Sequence, residues 1–433
     1  MDLLTANDRP GEYPASYYAE NAAHLAPFPQ AKGEIACDVC VVGAGFTGLS
    51  TAYHLAERGY DVVVLDAQRV GFGASGRNGG QVSMGQRREQ DDLEGVVGEA
   101  HARDLWKIGA EAVDLIKELC QRDEVRTEFV PGIVHAVHRA RDHKHNRAYV
   151  AFMHQKYGYD QIRVLEPDEC RETVNSPSYY GGTLDMGSGH VNPLELVFGL
   201  ARLAQGAGAR IFEQSKVKKI DEGSPATVHS ETAQVTARYV VLACNGYLGS
   251  LNAHVAARVM PINNYIVATE QMSAEQQEAI IKKNYAVADS KFVVNYFRFS
   301  EDRRLLFGGT ESYGYKFPAD IAASVRKPMT EIFPQLENVG IDYAWGGTLS
   351  ITMNRLPHFH RVKGNIISMS GYSGAGVALG TLSGQLAAEA IAGQAERFDV
   401  MARIPTPPFP GGSALRSPLM VLGMLWYGLR DRL

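Results

Sequence analysis

Residues 37–50, CDVCVVGAGFTGLS, contain two motifs that point to different chemistry. Cys37 and Cys40 have the C-x-x-C spacing of redox dithiols, whereas the three glycines of GAGFTG have the G-x-G-x-x-G spacing of a dinucleotide-binding turn. The β-branched residues before Gly43 predict a strand. Residues three apart in a strand point to opposite faces with Cα atoms about 10 Å apart, which is too far for a disulfide. The glycine motif is therefore the one that indicates function.

The sequence after the motif supplies the context that a dinucleotide site requires. Residues 46–59, FTGLSTAYHLAERG, have helical spacing, and DVVVLD then predicts a second strand that ends at Asp66. Gly43 allows the tight turn, Gly45 lets the backbone approach a pyrophosphate, and Gly48 lets helix and strand pack closely. The helix N-terminus faces the phosphates, and Asp66 can accept the hydroxyl protons of a ribose. The sequence predicts an α/β, Rossmann-type domain.

Three more segments favour FAD over NAD. QRVGFGASGRNGGQ, residues 68–81, predicts a loop in which Arg77 balances pyrophosphate charge while the following glycines pass close to a planar ring. ARYVVLACNGYLG, residues 237–249, predicts a buried strand and a small-residue turn. NIISMSGYSGAGV, residues 365–377, predicts a strand and a turn before a helix whose positive end would stabilise charge gathered by a reduced flavin.

The order of VVGAGFTGLSTAYHLAERG, GFGASGRNGGQ, VVLACNGYLG and GYSGAGV resembles the D-amino-acid oxidase family of FAD enzymes. Within it, SYYAENA, GRNGGQ and FPGGSALRSPL resemble the branch that acts on γ-glutamylputrescine. The resemblance implies hydride transfer from an amine α-carbon to flavin N5, with an imine that hydrolyses to an aldehyde and ammonia, and O2 reduced to H2O2. The implied substrate is γ-glutamylputrescine or a similar ω-amine. Ala375, where this branch often has histidine, and VSMGQRREQ, residues 82–90, depart from the pattern near the expected substrate.

Other functions stay open at this point. One is oxidation of a secondary amine or α-amino acid, as in sarcosine and glycine oxidases. Another is a membrane-associated amine dehydrogenase that passes electrons to a quinone. A third is a flavoprotein that uses FAD structurally.

The residues predicted to bind FAD lie in the glycine turns and at strand ends. They are Gly43, Ala44, Gly45, Phe46, Thr47, Gly48, Asp66, Ala67, Gln68, Gly73, Ala74, Ser75, Arg77, Asn78, Gly79, Gly80, Gln81, Val217, Ala243, Asn245, Gly246, Tyr247, Trp345, Gly347, Gly371, Tyr372, Ser373, Gly374, Gly376 and Val377. We expect non-covalent attachment, because no cysteine or histidine is clearly placed to bond the cofactor.

Four residues are predicted to contact the substrate. Tyr296 and Arg298 alternate onto one face of the predicted strand FVVNYFRFS, where Arg298 is expected to clamp a carboxylate such as a glutamyl tail. The alternative for Arg298 is a surface strand arginine. Tyr372 and Ser373 are expected over the flavin ring.

The FAD segments are far apart in sequence, so we predict a discontinuous FAD-binding domain and an α+β substrate domain with a mainly antiparallel sheet. The expected divisions are 34–90, 185–255 and 345–405 for the FAD-binding domain, 91–184 and 256–344 for the substrate domain, 1–33 for an N-terminal extension and 406–433 for a C-terminal tail with an apolar helix.

Composition narrows the partners and the compartment. The net charge of −5 and pI near 6.2 argue against nucleic acid. Scattered cysteines and the lack of a signal-peptide pattern predict a cytoplasmic protein. His358 and His360 lack accompanying ligands, so no metal site is predicted. The apolar run at 419–429 is too short to span a membrane and predicts either a packed helix or peripheral contact with the inner membrane face.

Overall fold

The computed structural model describes residues 2–412 and contains two large sheets. The strands of the first sheet come from three distant parts of the chain. In spatial order they are His358–Lys363, Ile366–Ser370, Ala233–Leu242, Gly33–Val42, Val62–Leu65 and Arg210–Phe212, and Lys219–Asp221 and Ala226–His229 add a short antiparallel extension.

The central strand of this sheet is the one that the opening motif predicted. Gly33–Val42 pairs in parallel with Val62–Leu65 on one side and Ala233–Leu242 on the other, and Val39–Val42 are buried. Two-sided burial fits a parallel sheet whose faces are both covered. Cys40 is buried and Cys37 half-buried within the strand, and both thiols are free. The predicted Rossmann-type topology is confirmed.

The second sheet is antiparallel except where Ala286–Asp289 runs parallel to Val130–Ala136. It contains the predicted strands around NYIVATE, FVVNYFRFS and RRLLFGG. Its spatial order is Ile341–Ile351, Met260–Thr269, Leu305–Ser312, Tyr296–Phe299, Ala286–Asp289, Val130–Ala136, Gly182–His190 and Gln81–Val82, with Ile162–Leu165 paired to Gly182–His190. The predicted second unit with a mainly antiparallel sheet is therefore present.

The described residues form α-helices before, between and after these strands in the chain. They are Tyr17–Asn21, Phe46–Ala56, Gln90–Val97, Glu99–Leu119, His143–Phe152, Pro167–Thr173, Pro193–Gly206, Ala253–Ala256, Ala274–Glu278, Ile321–Ile332, Ala378–Ile391 and Glu396–Ala402.

The sheets and helices do not divide where the sequence-based boundaries do. Gly182–His190 and Ile341–Ile351 belong to the second sheet, although 185–190 and 345–351 were placed with the FAD segments. The helix Glu99–Leu119 was placed with the substrate segments, yet its apolar face packs in the same cluster as Leu49 and Leu382 of the cofactor side. An amphipathic pattern shows that a face is buried without showing against which element. The domain division therefore stays a proposal.

The N-terminal segment lies across both units. Asn7 donates its side-chain N–H to the Tyr315 carbonyl at 2.8 Å and accepts the Phe317 N–H at 2.8 Å. On the cofactor side, Gln68 donates to the Leu4 carbonyl at 2.8 Å. The apolar run at 419–429 lies outside the described residues. Within 2–412, no helix combines the length and apolar character needed to cross a membrane.

Candidate functional site

The glycine turn after the first strand is shaped by close backbone contacts. A Cβ on Gly43, whose φ is +109°, would lie 2.7 Å from the Ala243 carbonyl oxygen. A Cβ on Gly48 would lie 1.8 Å from the Gly43 carbonyl oxygen, and one on Gly45 would lie 2.7 Å from the Ser75 hydroxyl. The turn can therefore bring its backbone against a ligand while helix Phe46–Ala56 starts directly behind it.

Asp66 holds the end of the second strand against this turn. Its carboxylate accepts the Ala44 N–H at 2.6 Å and the Gln68 N–H at 2.8 Å. Burial raises the pKa of Asp66, and the two backbone N–H groups oppose that rise. The free lone pairs of a carboxylate fixed in this way can accept further hydrogen bonds from ribose hydroxyls.

A cavity of about 530 Å³ opens beside Gly43 and Asp66. Twelve of the residues predicted to bind FAD line it. They are Gly43, Ala44, Gly45, Asp66, Ala67, Gly73, Ala74, Ser75, Val217, Ala243, Asn245 and Tyr247. The cavity is thus built from the segments that the glycine motifs marked, together with Lys216–Lys218 and residues 248–251.

Residues that sequence analysis missed also line this cavity. Asp2 and Leu4 reach it from the N-terminal segment, and Lys216 forms an ion pair with Asp2. No local pattern in the first residues indicates this, because the contact joins positions 214 apart.

The remaining predicted cofactor residues lie outside this cavity lining. They are Phe46, Thr47, Gly48, Gln68, Arg77, Asn78, Gly79, Gly80, Gln81, Gly246, Trp345, Gly347, Gly371, Tyr372, Ser373, Gly374, Gly376 and Val377. Several of them, described next, form a second group where the two sheets meet.

Arg77 is buried, but its pairing differs from the expected pyrophosphate contact. Its Nη1 pairs with Asp8 at 3.1 Å, its Nε donates to the Phe72 carbonyl at 2.6 Å, and its guanidinium stacks on the Phe72 ring at 4.3 Å. Its Nη2 is buried and finds no acceptor within residues 2–412. A buried donor without a protein acceptor requires explanation, and an anionic cofactor can supply the missing acceptor.

The loop at Asn78–Gly80 lies under Tyr296. Asn78 fixes the loop by accepting the Gly80 N–H at 2.7 Å, and a Cβ on Gly79 would lie 2.6 Å from the Tyr296 ring. The Tyr296 hydroxyl donates to the Asn264 side-chain oxygen. Tyr296 therefore lies beside the glycines that we expect against the planar ring. Gln81 instead donates to the Val287 carbonyl at 2.8 Å in the second sheet.

Arg298 is neither a free carboxylate clamp nor a surface arginine. It is buried and donates to the carbonyls of Gly79 at 2.7 Å, Val191 at 3.0 Å and Phe299 at 3.1 Å, and to the Tyr18 hydroxyl at 3.2 Å. These bonds use four of its five N–H groups. The arrangement assigns Arg298 to holding the glycine loop, which corrects the expected clamp.

The turn between Ile366–Ser370 and helix Ala378–Ile391 is cross-linked to distant segments. Asn245 accepts the Gly371 N–H at 3.1 Å, and the Ser373 N–H donates to the Ser350 carbonyl at 3.1 Å. The Ser373 hydroxyl donates to the Gly371 carbonyl at 3.1 Å. Ser373 adopts a φ of +53°, an uncommon left-handed conformation for a serine.

Tyr372 points toward helix Phe46–Ala56. Its hydroxyl shares a 2.8 Å hydrogen bond with Thr47, and its ring packs on Gly376 and Gly380 inside the protein. Burial raises the pKa of Tyr372 to about 12. This side chain links the turn to helix Phe46–Ala56, so its expected contact with substrate is not supported.

Trp345 and Gly347 lie against the backbone and side chain of Arg77. The Trp345 indole donates to the Arg77 carbonyl at 3.0 Å, and a Cβ on Gly347 would lie 3.1 Å from the Arg77 Cβ. Both residues therefore support the glycine loop at Arg77–Gly80, called the second glycine loop below.

A parallel sheet carries a glycine turn and an acidic strand end beside one cavity, which are the features of a dinucleotide-binding protein. The glycine loop at Asn78–Gly80, outside the cavity lining, adds the feature expected of the flavoprotein class. Residues 38–390 match the model of the FAD dependent oxidoreductase (DAO) family. The chain belongs to this family, and its cofactor is FAD. The close-approach glycines, Asp66 and the orphaned Arg77 donor fit that cofactor.

Individual proteins extend this similarity. The chain is 41% identical over 428 residues, 98% of its own length and 99% of the relative's, to gamma-glutamylputrescine oxidoreductase of Escherichia coli (strain K12). The crystal structure of glycine oxidase from Geobacillus kaustophilus matches with a TM-score of 0.70 at 20% identity, covering 83% of this chain and 95% of that one. L-proline dehydrogenase from P.horikoshii matches with a TM-score of 0.71 at 20% identity, covering 87% and 98%. The predicted family and fold are confirmed.

Proposed function

We propose that this protein oxidises a primary ω-amine, with γ-glutamylputrescine as the first candidate, and that O2 is reduced to H2O2. The observation that carries the proposal is the identity of 41% over 98% of the chain to a gamma-glutamylputrescine oxidoreductase. The alternatives are oxidation of a secondary amine or α-amino acid and transfer of electrons to a quinone.

The cavity beside Gly43 and Asp66 would hold the adenosine and pyrophosphate part of FAD. Gly79, Gly80 and the turn at Gly371–Gly376 would hold its ring. The chemistry that FAD supplies when bound is acceptance of a hydride from the amine α-carbon. The protein must then bind the neutral amine, orient its α-carbon and exclude water, and the imine product would hydrolyse to an aldehyde and ammonia. Tyr296, beside the glycine loop, is the proposed substrate-facing wall.

The test is anaerobic mixing of the purified yellow protein with single amines. We expect γ-glutamylputrescine to bleach the flavin absorbance, while free putrescine, glycine and sarcosine leave it unchanged. Bleaching by sarcosine or glycine and not by γ-glutamylputrescine would overturn the proposal.

Admission of oxygen identifies the electron acceptor. A peroxidase-coupled assay should detect H2O2 as the colour returns. If the colour returns only after addition of a soluble quinone, the oxidase part of the proposal is wrong.

A further inference from the structure

Four polar residues from three distant segments meet beside the turn that carries Ser373. Arg87 donates its Nε–H to the Ser373 carbonyl at 3.0 Å, and the Tyr313 hydroxyl donates to the Glu311 carboxylate at 2.8 Å. Arg355 lies near enough for its charge to act on both Arg87 and Glu311. None of these four residues is used by the cofactor site described above.

The sheet register places this cluster next to the expected substrate region. Glu311 is the cross-strand partner of Asn264, which in turn faces Gly347 on the next strand. Cross-strand partners share one face of a sheet, and the Asn264 side chain accepts the Tyr296 hydroxyl. Glu311 therefore lies on the same sheet face as the residues beside the second glycine loop.

The opposite charges of the cluster face each other without pairing. Within residues 2–412, Glu311 forms no ion pair with Arg87 or Arg355, and Tyr313 is its one side-chain hydrogen-bond partner. Burial raises the pKa of Glu311. The hydrogen bond from Tyr313 and the charges of the two arginines lower it by less. A Cβ on Gly374 would lie 3.6 Å from the Arg87 Nε, and Arg87 keeps access to solvent. Arg87 therefore lies against the turn at Gly371–Gly376, where a ligand from solvent can reach it.

The backbone beside this cluster is held in an uncommon conformation. Arg355 has a φ of +65° and Ser373 a φ of +53°, and neither is glycine. Such conformations are unfavourable for residues other than glycine and persist where the surrounding structure requires them, often at ligand sites. The left-handed conformations fix the backbone of Arg355 and of Ser373, whose carbonyl accepts the Arg87 hydrogen bond.

We propose that Arg87, Arg355, Glu311 and Tyr313 form a head-group site for a zwitterionic α-amino acid, which binds the end of the substrate remote from the oxidised carbon. The two guanidinium groups receive the α-carboxylate, and Glu311, oriented by Tyr313, receives the α-ammonium. This inference rests on the proposed oxidation of an ω-amine and names its substrate class, an amine that carries an α-amino-acid head.

Charge matching selects the zwitterion over simpler ligands. A diamine such as putrescine would put an ammonium group against two guanidinium groups. A plain carboxylate would leave Glu311 without a cationic partner and facing a like charge. Only a head with both charges pairs every group, and mismatched charges are a strong source of specificity.

The binding test uses the holoenzyme and L-γ-glutamylethylamide, which has the α-amino-acid head but no oxidisable ω-amine. Titration calorimetry gives Kd for this ligand, for glutaric acid monoethylamide, which lacks the α-amino group, and for 4-aminobutyric acid ethylamide, which lacks the carboxylate. We expect each truncated ligand to bind about 10- to 100-fold more weakly, as loss of a charged hydrogen-bonding group predicts. If the three ligands bind the unmodified holoenzyme equally well, that result alone would overturn the inference.

Substitutions then assign the groups. Glu311→Gln should weaken L-γ-glutamylethylamide by about 10- to 100-fold. It should not weaken the ligand without an amino group, because the carboxylate of that ligand no longer faces a like charge. Arg355→Gln should weaken the two carboxylate ligands. It should not weaken the ligand without a carboxylate, because its ammonium group then faces one like charge fewer. Glu337→Gln and Arg403→Gln, at exposed positions, are the matched controls. Uniform weakening of all three ligands by either test variant would refute the assignment.

The outcome separates this inference from the proposed function. If γ-glutamylputrescine fails to bleach the flavin but the ligand pattern holds, the proposed function is wrong and the head-group site stands. If the amine bleaches the flavin and the pattern is absent, only the head-group site is wrong. Flavin content and thermal midpoint of each variant show whether it has folded, and Glu311→Asp and Arg355→Lys replace variants that have not.

Discussion

Replacement of Arg298 by methionine tests whether this residue stabilises the fold or binds substrate. The change keeps an unbranched side chain and removes every donor, so the carbonyls of Gly79, Val191 and Phe299 lose their guanidinium partner. A buried acceptor left unpaired costs about 1–3 kcal/mol, so the three together cost about 3–9 kcal/mol. That is a large part of a typical total stability of about 5–15 kcal/mol.

The assay is thermal unfolding of the holoenzyme followed by circular dichroism, with FAD release followed by fluorescence. Arg298→Met should lower the midpoint sharply and release FAD earlier, since Gly79 belongs to the loop expected against the flavin. Arg298→Lys keeps the charge and up to three donors at one nitrogen. Its unfolding midpoint should therefore lie between those of the wild-type protein and Arg298→Met. Arg403→Met, at an exposed position, is the control.

The measurement that decides between the roles is ligand binding by the folded fraction. If Arg298 is structural, the folded Arg298→Met protein binds L-γ-glutamylethylamide with nearly unchanged Kd. An unchanged midpoint combined with loss of that binding would show that the hydrogen bonds described above do not define its role.

Three other changes probe the cofactor turn, the head-group site and the turn beside it. Gly45→Ala would place a carbon 2.7 Å from the Ser75 hydroxyl, so we expect weaker FAD retention in equilibrium dialysis. The control Gly206→Ala lies at a helix end with open space and should retain FAD fully. Because burial raises the pKa of Glu311, binding of L-γ-glutamylethylamide should weaken as pH falls through that raised pKa and the carboxylate is protonated, and Glu311→Gln should remove this dependence in calorimetry. Tyr372→Phe removes the bond to Thr47 and should cost about 0.5–1.5 kcal/mol in unfolding free energy while kcat with γ-glutamylputrescine stays unchanged; a large fall in kcat at unchanged stability would restore a substrate contact for this residue.

The cofactor side could be predicted from sequence because its signals are local. Gly43, Gly45 and Asp66 are specified by a strand, a turn and a helix that follow each other in the chain, and a short motif therefore fixes their relative positions. The turn at Gly371–Gly376 is marked in the same way by a strand before it and a helix after it.

Roles that depend on distant partners could not be predicted. Arg298 looks like a strand residue in its local sequence, but its acceptors come from residues 79 and 191. Arg77 forms an ion pair with Asp8, which is 69 residues away in the chain. The packing of helix Glu99–Leu119 against the cofactor side also depends on tertiary contacts, since its apolar face could pack against either unit.

The head-group site shows how a departure from a pattern can be informative. VSMGQRREQ stands out in the sequence as atypical, and it supplies Arg87. Its partners Glu311 and Arg355 carry no local signal, because Glu311 lies in an ordinary strand and Arg355 in an ordinary turn. Only the fold brings the three together.

The strand order of the first sheet has a consequence for how the polypeptide matures. Ala233–Leu242 is inserted between Gly33–Val42, which is synthesised long before it, and Ile366–Ser370, which is synthesised long after it. Sequence-distant parallel pairing is slow to form, and exposed strand edges favour aggregation meanwhile. Ample riboflavin and slow expression at low temperature should therefore raise the yield of recombinant enzyme, since a ligand that binds only the native state draws late-folding chains toward it.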